Sequence, residues 1–332
     1  MRAVRPRALV APDAFKGTFD AATVARVLAA GLEQAGWDAD RCPVADGGEG
    51  TMALLVAALG GELVPARATD PLGRPVDCQF GLVDGGATAI VEMAQASGLD
   101  RVAPEERDAW RASTRGTGEL ILAAAAAGAR RIVVAVGGSA TTDGGAGAIE
   151  AIEDGGGAGG ARLEVLCDVQ STFEQAPRIF GPQKGADRAL VARLEARLDA
   201  LAATLPRDPR GVPATGCAGG LSGGLWAAFD AELKPGAATV LDALRADERI
   251  RRAQLVVAGE GCLDEQSFGG KIVGELVRRT REAGVPIHAV VGTSELTDAE
   301  AADAGLARVW RASTLEEIAA AARALGAAGG LS

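Results

Sequence analysis

QLVVAGEGCLDEQSFGGKIVGELVRRTREAGVPIHAVVG, residues 254–292, runs from an apolar strand (LVVAG) through a polar, glycine-rich loop. It continues into a helix over 274–281 and a second apolar strand over 287–291. A helix set between two strands imposes a crossover, and strands joined by crossovers lie parallel. The pattern continues with a helix after Thr297, a short strand near Val309 and a last helix. Thr297 with Glu300, and Ser313 with Glu316, have the spacing of capping boxes for these late helices, and Gly305 suits the stop between them.

Outward from this stretch, the other chain end reads the same way. Ala8–Ala11 is a short apolar strand, Pro12–Asp13 breaks it, and a helix begins at about Asp20 with Val24, Val27, Leu28 and Leu32 on one face. Between Glu62 and Met93 the pattern alternates and is broken by Pro71-Leu72-Gly73 and Asp84-Gly85-Gly86, which reads as antiparallel hairpins. Helices over 119–127 and 190–203 and strands over 131–136 and 163–167 restore the α/β rhythm, and the Ala/Gly tract 154–161 reads as a flexible loop. The expected fold class is therefore α/β. A Rossmann-like parallel-sheet domain is built from residues 1–61 and 236–332, and a second α/β domain, residues 62–235, is inserted into it. Two domains imply a cleft and the prospect of ligand-driven closure.

Composition removes several function classes. With 48% apolar residues the chain can bury a core, and a formal charge of −10 opposes nucleic-acid binding. The apolar run 120–127 is far below the roughly 20 residues needed to cross a bilayer. The N-terminus breaks at Pro12 before it forms a secretory signal, so a cytoplasmic location without membrane contact is expected. Five scattered cysteines and one histidine argue against a disulfide scaffold or a zinc site.

Four polar loops each follow an apolar strand: PDAFKGT (12–18), ADGGEGT (45–51), GGSATTDGGAG (137–147) and GEGCLDEQSFGGK (259–271). Glycine lets backbone N–H groups approach a phosphate, and a following helix N-terminus adds a partial positive charge. The plain alternative for any one loop is glycine in a turn and aspartate at a cap. None is a standard nucleotide fingerprint: GGKIV lacks the Walker spacing, and GEGCLD has Asp264 where G-x-G-x-x-G needs its third glycine. The four lysines, at 16, 184, 234 and 271 against 30 arginines, lie mostly in glycine-containing loops, where a compact ammonium suits phosphate oxygens. His288 sits in the apolar strand PIHAVVG and reads as a core residue, which leaves proton removal to carboxylates: Asp13, Asp46, Asp143, Asp168 and Asp264.

APDAFKG, PVADGGEGT, DPLGRPV, VEMAQASGL, STRGTGELI, VAVGGSATTDGGAG, LCDV, FGPQKGA and GEGCLDEQSFGGK, in this order, resemble the bacterial type I glycerate kinases. The resemblance implies that family's two-domain fold and the ATP- and Mg2+-dependent phosphorylation of D-glycerate, commonly to 2-phosphoglycerate. Its implied partners are small molecules, with a homodimer left open. Within that frame the loops motivate Lys16 and Lys271 as contacts to phosphate oxygens. Asp264 and Asp143 would serve Mg2+ or the hydroxyl proton, with Asp13 a further catalytic carboxylate and Asp168 a further metal ligand. Gly47, Gly48, Gly137, Gly138, Ser139, Gly259 and Gly261 are expected against the nucleotide. Arg74 and Lys184 are offered to the substrate carboxylate, with Asp46 and Glu49 beside the substrate; an arginine at a surface turn is the plain alternative for Arg74.

The chain departs from the family pattern in three places. QSTFEQAPRIFGPQKGA follows LCDV, Thr142 stands before Asp143 in place of the common Asn, and Cys262 occupies a position often basic. These departures keep two alternatives open: a kinase for another small hydroxy acid, and a non-catalytic ligand-binding protein on the kinase fold. An oxidoreductase is disfavoured by the missing dinucleotide fingerprint.

Overall fold

The structure is a computed structural model and describes residues 5–15 and 17–329. The chain forms two compact units, one from Met1–Asp46 with Ala237–Ser332 and the other from Gly47–Gly236. Mixed α/β architecture with parallel strands is present in both.

The first unit is built on β1 (Arg7–Pro12), β2 (Asp38–Arg41), β9 (Leu255–Leu263), β10 (Ile287–Ser294) and β11 (Arg308–Arg311). They form a wholly parallel sheet in the order β11-β10-β9-β1-β2. Ala8, Leu9, Val10 and Ala11 are all fully buried, as expected for a central parallel strand. Helices Ala21–Gln34 and Leu315–Gly329 supply Val24, Leu28, Leu32, Ile318 and Ala322 to the core around Val10, Val257 and Val290. Helix Ile272–Ala283 buries Val273, Leu276 and Val277, and its Arg279 is held by Glu275, Asp242 and Asp247. From β1 the chain passes to β2 on one side, while β9, β10 and β11 extend the sheet on the other. The carboxyl ends of β1 and β9 therefore form a topological switch point, the usual ligand position in open α/β sheets.

The second unit orders β3 (Glu62–Thr69), β4 (Pro75–Val83), β5 (Thr88–Glu92), β6 (Arg131–Ala135), β7 (Arg162–Cys167) and β8 (Glu232–Pro235) consecutively. The first two pairings are antiparallel and the last three parallel, so the hairpins expected over 62–93 adjoin a parallel half. Helix Thr51–Leu59 belongs here, which puts the first unit boundary at 46/47 ahead of residue 62. A Cβ on Gly81 of β4 would meet Val56 Cγ2 at 2.3 Å, and Met52 N–H donates to Glu92 at 3.1 Å.

Expected capping is present with one shift. Asp20 accepts the N–H of Thr23, and Thr297 and Glu300 form their box. The last box is Thr314 with Glu317, one residue later than the Ser313–Glu316 reading: Glu317 N–H donates to Thr314 Oγ1 and Thr314 N–H to Glu317 Oε2, both at 3.2 Å. Among the described residues no helix is long and apolar enough to cross a membrane.

Candidate active site

At the switch point of the first unit lies a cavity of about 420 Å3 whose walls include Asp13, Asp46, Glu260, Asp264, Lys271 and Thr293. Asp13 follows directly from β1. Its N–H donates to Gly259 O at 2.8 Å, and its Oδ1 accepts the N–H of Ala14 at 2.6 Å. Asp264 ends β9 and caps the short turn Glu265–Phe268, Oδ1 accepting from Ser267 N–H and Oγ–H. Its Oδ2 accepts no hydrogen bond among the described residues. Lys271 is the N-cap of helix Ile272–Ala283, and among the described residues its ammonium has no hydrogen bond or ion pair. Among the described residues of this wall, Lys271 is thus the one cation, set at a helix N-terminus beside carboxylates.

The glycine-rich segment 259–271 is not a loop from its first residue. β9 runs on through Leu263 because Cys262 and Leu263 pair with Thr293 and Ser294. A Cβ on Gly292 would lie 2.6 Å from Gly261 O, so glycine on β10 lets these two strands approach. Gly259 is buried in the sheet and Gly261 lines the cavity. Lys16 lies outside the described residues.

In the second unit the remaining candidates gather at the carboxyl ends of β5, β6 and β7. A Cβ on Gly137 would stand 2.5 Å from Gly48 Cα, so the 45–51 and 137–147 segments touch backbone to backbone. Gly47 is packed against Gly236, Gly138 faces the Glu49 carboxylate, and Asp168 is half-buried just past β7. Lys184 is 1% exposed and donates to Ser139 Oγ at 2.8 Å and to Thr141 O at 2.5 Å. Burial pulls its pKa down to about 7, opposed by the negative charge of Asp143. Among the described residues the buried hydroxyls of Thr141 and Thr142 have no partner. Glu92, absent from the expected site, is buried behind the 45–51 segment. Burial raises its pKa against the N–H groups of Gly50 and Met52, with the charge of Glu49 adding to the rise. Its sequence signal was a single acid closing an apolar strand.

Three of the expected site residues are held by partners within the second unit. Asp143 is 1% exposed and accepts from Thr114 N–H and Oγ–H at 2.8 Å and from the N–H groups of Gly145 and Gly147 at 3.2 Å, so its carboxylate holds the loop together. Arg74 is engaged by Asp70, Glu106 and the carbonyl of Arg101. Lys184 is committed to the 137–147 segment. No three His, Cys, Asp or Glu side chains among the described residues are gathered for a metal ion. His288 lies on β10 outside the cavity, and among the described residues its Nδ1 is buried without a partner.

Carboxylates and a lysine at a helix N-terminus, set at the switch point of a parallel sheet and served by no histidine, suit transfer of a phosphoryl group between small molecules rather than acyl chemistry. The comparisons with known proteins agree. The model of the glycerate kinase family matches residues 8–154 and 157–331. Glycerate 2-kinase of Escherichia coli (strain K12) is 37% identical over 327 residues, covering 87% of this chain and 85% of the relative. Glycerate kinase of Haemophilus influenzae is 38% identical over 321 residues, covering 86% and 85%. A crystal structure described as a candidate glycerate kinase 2 from Salmonella typhimurium LT2 superposes with a TM-score of 0.83 at 31% identity, covering 98% of each chain. The chain belongs to the glycerate kinase family, and it is a kinase.

Proposed function

We propose that this kinase transfers the γ-phosphoryl group of ATP to D-glycerate in the presence of Mg2+, with the C2 hydroxyl as the favoured acceptor. The observation that carries this reading is the Lys271 ammonium, unpaired among the described residues, at a helix N-terminus in one cavity with Asp13 and Asp264. The carboxylates of this wall suit Mg2+, which is usually held by one or two carboxylates together with substrate phosphates, and Asp264, with Oδ2 open, is the residue for it. Bound there, Mg2+ would neutralise charge on the phosphate oxygens. Lys271, with Lys16, holds phosphate oxygens. Asp13, fixed by the N–H of Ala14, accepts the proton that the glycerate hydroxyl loses as its oxygen bonds to phosphorus and ADP departs. Asp143 and Lys184 shape the 137–147 segment of the second unit.

The test is ADP release dependent on both Mg2+ and D-glycerate, with the phosphorylated carbon identified by phosphorus NMR. Lys271→Ala and Asp264→Ala should each lower kcat by about 10²-fold or more. Rates near those of the unaltered chain would sink the assignment. Cys262, exposed and lining the cavity, favours one second reading, a related short hydroxy acid as the preferred acceptor; comparing such acids with glycerate in the same assay decides between them.

A further inference from the structure

The cavity of the first unit crosses the whole carboxyl edge of its sheet, and its two halves differ in charge. Among the described residues that line it, Ser313 follows β11, Thr293 belongs to β10, Asp264 follows β9, Asp13 follows β1 and Asp46 comes after β2. Backbone pairing carries both ends of this row past the strands: Ala312 N–H donates to Val291 O at 2.8 Å, and Val44 N–H to Pro12 O at 3.0 Å. With neighbouring strands about 4.8 Å apart, five strands span roughly 19 Å, far more than a three-carbon acid occupies. The charged side chains of the described lining are Asp13, Asp46, Glu260, Asp264 and Lys271. They stand on or after β1, β2 and β9, or at the N-terminus of helix Ile272–Ala283. Over β10 and β11 the described lining is uncharged.

This uncharged half has an apolar floor and free hydroxyl capacity. A Cβ on Gly259 would stand 3.5 Å from Phe15 Cε1 and one on Gly292 3.7 Å from Phe15 Cδ2, so the Phe15 ring rests against β9 and β10. Thr293 is exposed, and among the described residues its hydroxyl has no hydrogen bond. Ser313 is also exposed, and its Oγ–H donates to Glu317 at 3.0 Å, which leaves the oxygen able to accept. Apolar contact with a few placed polar groups is the usual make-up of a small-molecule site. Both proposed substrates are anions, and of their parts only the nucleoside of the nucleotide is neutral and large. Phosphate and carboxylate groups belong beside a cation, whereas a sugar and base need apolar contact and hydroxyl partners.

We infer that the uncharged half of this cavity, over β10 and β11, is the nucleoside subsite of the phosphoryl donor, with Thr293 and Ser313 as its hydroxyl contacts. The donor then lies along the sheet edge with its phosphates toward Lys271 and Asp264. The inference rests on the reading of ATP as donor, and it uses residues of the first unit alone. In the full chain, Thr293→Trp fills this half and should raise KM for ATP about 10-fold or more, with KM for D-glycerate unchanged. Ser313→Trp should act in the same direction, so that one variant serves if the other does not fold. Inorganic tripolyphosphate, which lacks the nucleoside, should compete with ATP equally well in the unaltered chain and in Thr293→Trp. An unchanged KM for ATP in the folded variants, or a raised KM for D-glycerate in its place, overturns the inference. So does tripolyphosphate competition that is absent throughout or weakens as much as ATP binding does. Calorimetric binding of ADP without any acid separates the inference from the functional reading. If the unaltered chain binds ADP but turns over no D-glycerate, and Thr293→Trp abolishes the binding, the subsite stands and the glycerate reading fails. Equal ADP binding by a folded Thr293→Trp chain, or none by the unaltered chain, removes the subsite.

Discussion

Lys184 has its buried ammonium hydrogen-bonded to a hydroxyl and a carbonyl, and this gives stability a predictable dependence on pH. Its folded pKa is depressed to about 7 by burial, so between there and the ordinary lysine range the unfolded chain binds more protons than the folded one. Stability therefore rises with pH across that window, and the full penalty is present below it. The unfolding midpoint in urea should climb for the unaltered chain relative to Lys184→Met between about pH 7 and pH 9.5, by on the order of a few kcal/mol at most. A constant difference would show that the amine is not perturbed. The scarcity of lysine marked this position in the sequence, but not its role, because a 1% exposure and a partner 45 residues away at Ser139 are properties of packing. The engagement of Arg74 was hidden for the same reason, its Glu106 partner lying 32 residues on.

Local signals fared better with whole elements. Strands at both chain ends fall within a few residues of where apolar runs and breakers put them, and Asp20 and Thr297 cap the helices their spacing announced. The last cap moved by one residue because Ser313 and Thr314 both offer a hydroxyl and Glu316 and Glu317 both a carboxylate, and spacing alone cannot rank the pairs. Thr314→Ala should therefore destabilise the chain by about 1 kcal/mol, read from the thermal midpoint. Ser313→Ala, which leaves Glu317 N–H capped, should shift it less; the reverse order would restore the original reading. The 46/47 boundary was illegible for a different reason. TMALLVAAL is apolar on every face, so its periodicity cannot say that β4 is its partner. β9 likewise outruns its apolar core because β10 offers it partners as far as Ser294.

For the molecule as a whole, the first unit is assembled from the two ends of the chain, with β1 seated between β2 and β9 and Ala8 paired with Leu255. The second unit draws all its strands from one continuous segment. A chain truncated after Arg251, ahead of β9, should therefore leave Gly47–Gly236 resistant to limited proteolysis while residues 1–46 are cut. Equal cleavage of both would mean that the second unit needs the first. The central position of β1 also sets a timetable during synthesis. At about 5 to 20 residues per second, the ribosome needs roughly 12 to 50 s to travel the 247 positions from Ala8 to Leu255. Through that interval RALVAP, an apolar strand with its neighbour β9 still unmade, keeps one edge uncovered, so that a strand synthesised ahead of the whole second unit is seated only after it.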